Sequence, residues 1–266
     1  MTRGVLLFAF NSPKVDYYSM AEYTAKRVNY FLNLPVTVIT DKDSVPTIPK
    51  YEFDKVIVIN SDSSNNFRND VWLNKGRYQA YELSPYDETL LIDVDYMVNS
   101  DRLLRVFDVL QDYVCHQETA GLMLPDGKQE VLSDLSFPVL WATVLGFQKT
   151  PKAKQLFDCM KMVQQNYQHY GNLYSFPTDT YRNDHALTIA HRIINGHLPD
   201  KTHILPWNLM HVWLKTNLYV ERKSKYNTKY TVVYDNWKNN KIKKEYIEIV
   251  DMDFHVINKE VFLELM

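Results

Sequence analysis

The first hundred residues alternate short apolar runs of strand length with stretches of helical spacing, and no other feature constrains the fold of this chain as much. Residues 5–10 (VLLFAF) are unbroken apolar, the pattern of a strand buried on both faces. Residues 17–34 carry Met20, Tyr23, Ala25, Val28, Phe31 and Leu32 close to a 3.6-residue period, and Pro35 ends that helix. Further strands are expected at 36–40, 55–60 and 89–93, with a helix over 72–83 stopped by Ser84-Pro85. The fold class implied is α/β, with a mostly parallel central sheet flanked by helices. In such sheets ligands bind beyond the carboxyl ends of the strands, where Asn11, Asp41, Asn60 and Asp93 fall.

The second half is mixed. Helices are expected at 105–113, 153–170, 184–195 and 257–266. Strands are expected at 120–124 and 139–147, with short ones within 204–220 and 230–234. No repeat or low-complexity linker divides the chain, so residues 1–266 read as a single domain with an elaborated C-terminal portion. Its length is enough to bury a core without staples, and Cys115 and Cys159 lack metal or disulfide-framework spacing. No apolar run approaches the roughly 18 residues of a membrane span, and residues 5–10 are too short for a signal core. A soluble, cytoplasmic protein is expected, in the host cytoplasm if the source is a virus. There is no GxxxxGKS, GxGxxG or GxSxG pattern, which disfavours P-loop, dinucleotide-oxidoreductase and serine-hydrolase chemistry.

The segment 90–98 (LLIDVDYMV) is the sharpest local feature. Asp93 and Asp95 follow a buried strand, and in an extended segment residues i and i+2 face the same way. Both carboxylates could then reach one hard divalent cation, Mg²⁺ or Mn²⁺, that also holds substrate phosphates. The plain alternative is a solvated strand-to-loop turn.

The stretch from Asn74-Lys75-Gly76-Arg77-Tyr78 through Asp87 to Asp93-Val94-Asp95 resembles GT-A-fold nucleotide-sugar glycosyltransferases, glycogenin-like enzymes in particular. The likeness covers about 30 residues as motif and residues 1 to about 200 as architecture. It implies a Rossmann-like GT-A domain with a nucleotide-sugar-binding half at 1–100 and an acceptor-binding half at 101–266. It also implies a UDP-sugar donor and a Mn²⁺ or Mg²⁺ cofactor on Asp93 and Asp95, with Val94 between them at the donor. A histidine from a C-terminal segment often completes the metal set in that family, and His255 in the run 251–259 (DMDFHVINK) is similar in position. Imidazole suits Mn²⁺ beside carboxylates. Lys259 could meet a phosphate or be a solvated lysine.

The resemblance further places uracil and ribose against Phe8, Ala9, Phe10 and Asn11, with Tyr17 able to stack on the base and Asp41 able to accept a hydrogen bond. Lys75 and Arg77 would face phosphate or sugar, or be ordinary surface charges. Asn183 or Asp184 reads as a helix N-cap. In the family an acidic residue there faces sugar and acceptor, and in inverting members it is the general base, so Asp184 is the catalytic candidate. His185 is an alternative base. Trp141 either packs on a sugar or lies in the core.

Charge is unevenly spread. Residues 201–245 hold ten Lys/Arg and three Asp/Glu within a chain of net charge −2. Trp207, Trp213, Tyr219, Tyr226, Tyr230, Tyr234 and Trp237 are interleaved with them. Basic and aromatic residues together compose a nucleic-acid surface, or a hairpin with a lysine-rich solvent face. With its glycine-poor, Tyr/Asn/Lys-rich character, Asn183-Asp184 and the run 253–259 (DFHVINK), the chain also looks like glycosyltransferases of bacteriophages, some of which glycosylate hydroxymethylated pyrimidines in DNA, so a polyanionic acceptor such as DNA is one expectation. A protein, glycan or small-molecule acceptor, a metal-dependent nucleotidyltransferase and a non-enzymatic nucleic-acid-binding protein are the alternatives.

Overall fold

A computed structural model describes the chain except residues 61–64, 68–69, 74, 118, 122–129, 135, 213–216, 221–225, 227–228 and 239–240. The chain opens with β1 (Arg3–Phe8), α1 (Tyr17–Leu32), β2 (Val36–Thr40) and β3 (Lys55–Val58), followed by a small hairpin of β4 (Asn65–Phe67) and β5 (Asp70–Trp72). A 3-10 turn at Lys75–Gln79 leads into α2 (Ala80–Leu83), β6 (Glu88–Ile92), β7 (Tyr96–Met97), α3 (Arg105–Val109), β8 (Tyr113–His116) and β9 (Thr119–Gly121). Next come β10 (Trp141–Gln148), α4 (Pro151–Gln165), α5 (Tyr167–Tyr174) and α6 (Asn183–Ile194). The last part holds β11 (Leu209–Val212), β12 (Asn217–Val220), β13 (Lys229–Lys238), β14 (Lys241–Val250), β15 (Phe254–Val256) and α7 (Lys259–Leu265).

The fold is α/β. Six strands form the central sheet in the order β3-β2-β1-β6-β10-β8. The pairs β1–β2, β1–β6 and β2–β3 are parallel, and β10 runs antiparallel to both β6 and β8. Because β1 has β2 on one side and β6 on the other, the order reverses at β1, and a crevice opens beyond the carboxyl ends of β1 and β6. Strand alternation sorts the core. Val5, Leu7, Leu90 and Ile92 pack with Met20, Ala21, Ala25 and Val28 of α1, whereas Leu6 and Leu91 share the opposite cluster with Leu156, Phe157 and Met160 of α4 and Leu187 of α6. Tyr230, Ile249, Phe254 and Phe262 join the α1-side cluster, so the C-terminal segment is packed into the same core as β1.

α1 starts where Asp16 accepts from the Ser19 N–H and ends at Asn33, whose φ of 51° takes the left-handed cap before Leu34-Pro35. Its buried face does more than pack. Thr24 Oγ1 donates to the Val94 carbonyl (2.6 Å), Arg27 Nε donates to the Val98 carbonyl (2.7 Å), and the Arg27 guanidinium also bonds Asn99 Oδ1. One turn of helix thereby fixes both ends of the segment that follows β6.

Several expected elements differ. The helix expected over 72–83 is a strand at Asp70–Trp72 followed by the 3-10 turn and α2. The helix expected over 105–113 stops at Val109, and Tyr113 already belongs to β8. The expected helix 153–170 is two helices, broken at Asn166, whose backbone leaves the helical region. The expected strand at 230–234 is a fraction of a ten-residue strand, and its partner β14 was missed because Lys241, Lys243, Lys244, Glu245 and Glu248 interrupt its apolar pattern. Of the strand expected at 120–124, residues 122–124 lie outside the described residues.

Acid should destabilise this fold. Burial pushes the His191 imidazole down to about 4, with Asp200 only partly opposing, and burial with the Arg182 charge brings His185 to about 4. An unfolded histidine takes up its proton near pH 6.5. The unfolded chain therefore binds more protons between about pH 6.5 and 4, and stability is lost as pH falls through that window. The melting temperature is expected to drop from pH 7 to pH 4.5, and His191→Gln to flatten the slope in a thermal melt series; an equal slope in the variant contradicts this.

Candidate functional site

Asp93 ends β6, and its N–H donates to the Thr143 carbonyl of β10 (3.0 Å). The Tyr96 N–H then returns to the Asp93 carbonyl (3.1 Å), so 93–96 is a turn and not the extended segment expected from spacing alone. The turn still brings the acids together, and a third residue joins them. β15 pairs with β7 in the register His255↔Tyr96, and the Val256 N–H donates to the Asp95 carbonyl (3.0 Å). Ligand atoms of Asp93, Asp95 and His255 all lie within 4.8 Å of one another. His255 Nε2 is 3.1 Å from Asp95 Oδ2 and 3.9 Å from Asp93 Oδ2.

This donor set fits a divalent cation. Two carboxylate oxygens face one imidazole nitrogen, as Mn²⁺ or Mg²⁺ coordination asks. Burial lowers the pKa of His255, against the opposing pull of Asp93 and Asp184, which favours the neutral imidazole that a metal ligand must be. Asp95 is only 3% exposed, which makes an uncompensated carboxylate there costly.

Two basic side chains complete the centre. Arg77, 7% exposed on the 3-10 turn, donates from Nη1 to Asp93 Oδ1 (2.5 Å) and from Nη2 to the Ala142 carbonyl (2.6 Å). Lys259, the first residue of α7, donates from Nζ to Asp95 Oδ2. It is half-buried and bonded, not the solvated lysine the sequence suggested, and burial lowers its pKa to about 8. Lys75 lies half-buried at the start of the Arg77 turn and makes no ion pair with Asp93 or Asp95 among the described residues.

Asp184 stands in the first turn of α6 but does not cap it, because Arg182 occupies the N-cap position. Its Oδ1 accepts from the Ala142 N–H (2.8 Å) and its Oδ2 from Arg182 Nη2 (3.1 Å). Ala142 thus bonds Arg77 through its carbonyl and Asp184 through its N–H, which brings the two side chains to one residue of β10. Burial would raise the Asp184 pKa, but the Arg182 charge and the Ala142 N–H outweigh it and hold the carboxyl below its usual value. Arg182 also bonds Glu130 (3.0 Å) and lies over the Trp141 ring. His185 is turned away into packing, with Nδ1 paired to the Tyr167 hydroxyl (2.9 Å). Trp141 is buried.

The other expected donor residues gather at the carboxyl ends of β1 and β2. The Ala9 N–H donates to the Ile39 carbonyl, and Phe8 and Phe10 flank it, their rings 6.3 Å apart. Asp41 Oδ1 accepts from the Ser44 N–H (2.8 Å), and Ser44 Oγ accepts from the Asn11 N–H (2.7 Å), so one chain of hydrogen bonds ties both strand ends. Asn11 Oδ1 accepts from the Tyr18 N–H, and Tyr17 is half-buried beside it. Val94 is different: its side chain is in the core. In the basic segment, Trp213, Lys215, Arg222, Lys223 and Lys225 lie outside the described residues. Lys243 and Lys244 are exposed on β14, and Lys229 pairs with Glu248 (2.9 Å).

Spacing did not reveal Thr24, Arg27 or Arg182, and it did not place Lys259 on Asp95. The one available signal was Arg27 inside the apolar period of α1, where an arginine reads as a flank residue.

Neither a protein-family model nor any curated protein sequence matches the chain. Solved structures do. The chain is similar to the apo form of the glycosyltransferase GlyE of Streptococcus pneumoniae TIGR4, at 13% identity and a TM-score of 0.40 over 72% of this chain and 43% of that one. It is similar to apo mouse xyloside xylosyltransferase 1, at 10% identity and a TM-score of 0.44 over 74% and 84%. A third is the galactosyltransferase LgtC in complex with donor and acceptor sugar analogues, at 14% identity and a TM-score of 0.45 over 71% and 70%. The match therefore spans less than half the length of the pneumococcal protein. Among the described residues no helix is long and apolar enough to cross a membrane.

Proposed function

We propose that the chain is a metal-dependent GT-A glycosyltransferase that moves a sugar from a UDP-sugar to an acceptor hydroxyl. The observation that carries the reading is the meeting of Asp93, Asp95 and His255 within 4.8 Å at the carboxyl edge of the sheet, with Arg77 and Asp184 beside them. Asp93, Asp95 and His255 would hold Mn²⁺ or Mg²⁺, and the bound cation would supply Lewis-acid neutralisation of the departing diphosphate. Arg77 fixes the Asp93 carboxylate and keeps its Oδ2 turned toward His255. Phe8, Ala9, Asn11, Tyr17 and Asp41 gather near the carboxyl ends of β1 and β2, where a base and ribose would lie, and Lys75 would serve the phosphates. Asp184 faces sugar and acceptor. Held ionised with both oxygens engaged, it is a weak proton acceptor, so its role in this reading is to receive hydrogen bonds from a sugar hydroxyl and orient it.

The 266 residues act as one unit in this reading, with 1–100 serving the donor and 101–266 the acceptor, because the C-terminal segment and β1 share a core. Free thiols at Cys115 and Cys159 fit a cytoplasmic setting. The first acceptor to try is DNA carrying hydroxymethylated pyrimidines, because residues 201–245 carry ten Lys/Arg, of which Lys243 and Lys244 are exposed on β14.

The test is UDP release from a panel of UDP-sugars with Mn²⁺ or Mg²⁺, with and without that DNA. Slow hydrolysis of one donor that EDTA abolishes is expected, with stimulation by the correct acceptor. Pyrophosphate release from a nucleoside triphosphate would favour a nucleotidyltransferase instead. DNA binding with a steep salt dependence and no turnover would favour a binding protein.

A further inference from the structure

Asp93 and Asp95 bring two carboxylates, and each already holds a basic partner, Arg77 on Asp93 and Lys259 on Asp95. A divalent cation added to a buried group that is already balanced leaves excess positive charge, which is expensive away from water. One of the two basic side chains must give way.

Arg77 is not the one. Its guanidinium is held at two points, Asp93 Oδ1 and the Ala142 carbonyl, under almost complete burial. Lys259 is held at one point only, Asp95 Oδ2, and its side chain is 24% exposed. That oxygen is also the one 3.1 Å from His255 Nε2, so the ammonium occupies a carboxylate oxygen that would hold the cation. The helix itself has no need to move. Asn258 caps α7 through the Glu260 and Val261 N–H groups, and Phe262 and Leu265 are anchored in the core, so only a flexible four-carbon chain has to swing.

We propose that the Lys259 ammonium is a built-in competitor of the divalent cation for Asp95 Oδ2, so that this side chain sets how tightly the cation is held. The inference rests on the metal-centre reading, and its test separates the two. Mn²⁺ binding is titrated by electron paramagnetic resonance of the free ion on wild-type protein, Lys259→Met, Lys259→Gln, Lys259→Arg and Asp95→Asn. Loss of the ammonium is expected to tighten Mn²⁺ about tenfold, the low end of what a unit charge at this range does to an ionic equilibrium. The arginine variant should bind no tighter than wild type. Met and Gln are both neutral, so either one that retains the wild-type circular dichroism suffices. Wild-type binding that depends on Asp95 but is unchanged or weaker in the neutral variants overturns the competition and leaves the metal centre standing. Wild-type binding that Asp95→Asn leaves unchanged, or no binding in wild type and neutral variants alike, overturns the metal centre, and the competition with it.

Discussion

Asp95→Ala is expected to reduce sugar transfer by roughly three orders of magnitude, about 4 kcal/mol of transition-state stabilisation. Asp95 is the hub of the centre: its Oδ2 meets both His255 and Lys259, while its backbone carbonyl holds β15 through the Val256 N–H. Alanine removes the carboxylate and keeps the backbone contact, so the strand that carries His255 stays paired. The variant should retain the far-UV circular dichroism of the native chain, because Lys259, partly exposed, can turn its ammonium to water. Initial rates of UDP release for wild type and variant, measured on folded protein at saturating Mn²⁺, check this. Full activity in the variant would remove Asp95 from the chemistry.

Arg77→Ala should damage both stability and activity. Removing the guanidinium leaves Asp93 without its partner and the buried Ala142 carbonyl without a donor. Breaking a buried pair from one side costs on the order of 3 kcal/mol, which for a chain of this size is a fall of roughly 6–12 °C in melting temperature. Activity should fall at least as far as in a specific transition-state contact, roughly a hundredfold, because Ala142 also positions Asp184 through its N–H. Lys75→Ala, two residues away and without an ion pair to the acids, is the control, expected to move the melting temperature by less than about 2 °C. Calorimetry and UDP-release rates on both variants are the measurements. A small effect at Arg77 or an equal effect at Lys75 contradicts the assignment.

The parallel half of the sheet was legible because a strand buried on both faces leaves an unbroken apolar run, as at Val5, Leu6 and Leu7, and because Pro35 and Pro85 punctuate it. The acid pair was legible for the same reason, being the first polar residues after Leu90, Leu91 and Ile92. The β13–β14 hairpin was not, because Lys243, Lys244 and Glu248 lie on exposed positions of a strand that buries Ile249. Its apolar signal is diluted by charge. The extended geometry assumed for Asp93 and Asp95 also failed, since the turn closed by the Tyr96 N–H is a backbone event with no glycine or proline to announce it.

The supporting residues escaped for a different reason. Thr24 and Arg27 act on Val94 and Val98 across about seventy positions of sequence, and Lys259 acts on Asp95 across more than twice that separation. Residue type alone assigns such side chains to a helix surface. Only the packing of α1 under the β6 turn, and of α7 behind β15, turns them inward. His255 was found because a resemblance pointed to it, and the register His255↔Tyr96 supplies the physical reason it reaches the acids.

The most direct measurement is an anomalous difference map at the manganese edge from crystals grown with Mn²⁺ and UDP. The strongest peak is expected among Asp95 Oδ2, Asp93 and His255 Nε2, with Lys259 Nζ withdrawn from Asp95. Manganese bound elsewhere, with those three side chains unliganded and Lys259 still on Asp95, would contradict the metal centre on which the proposed activity depends.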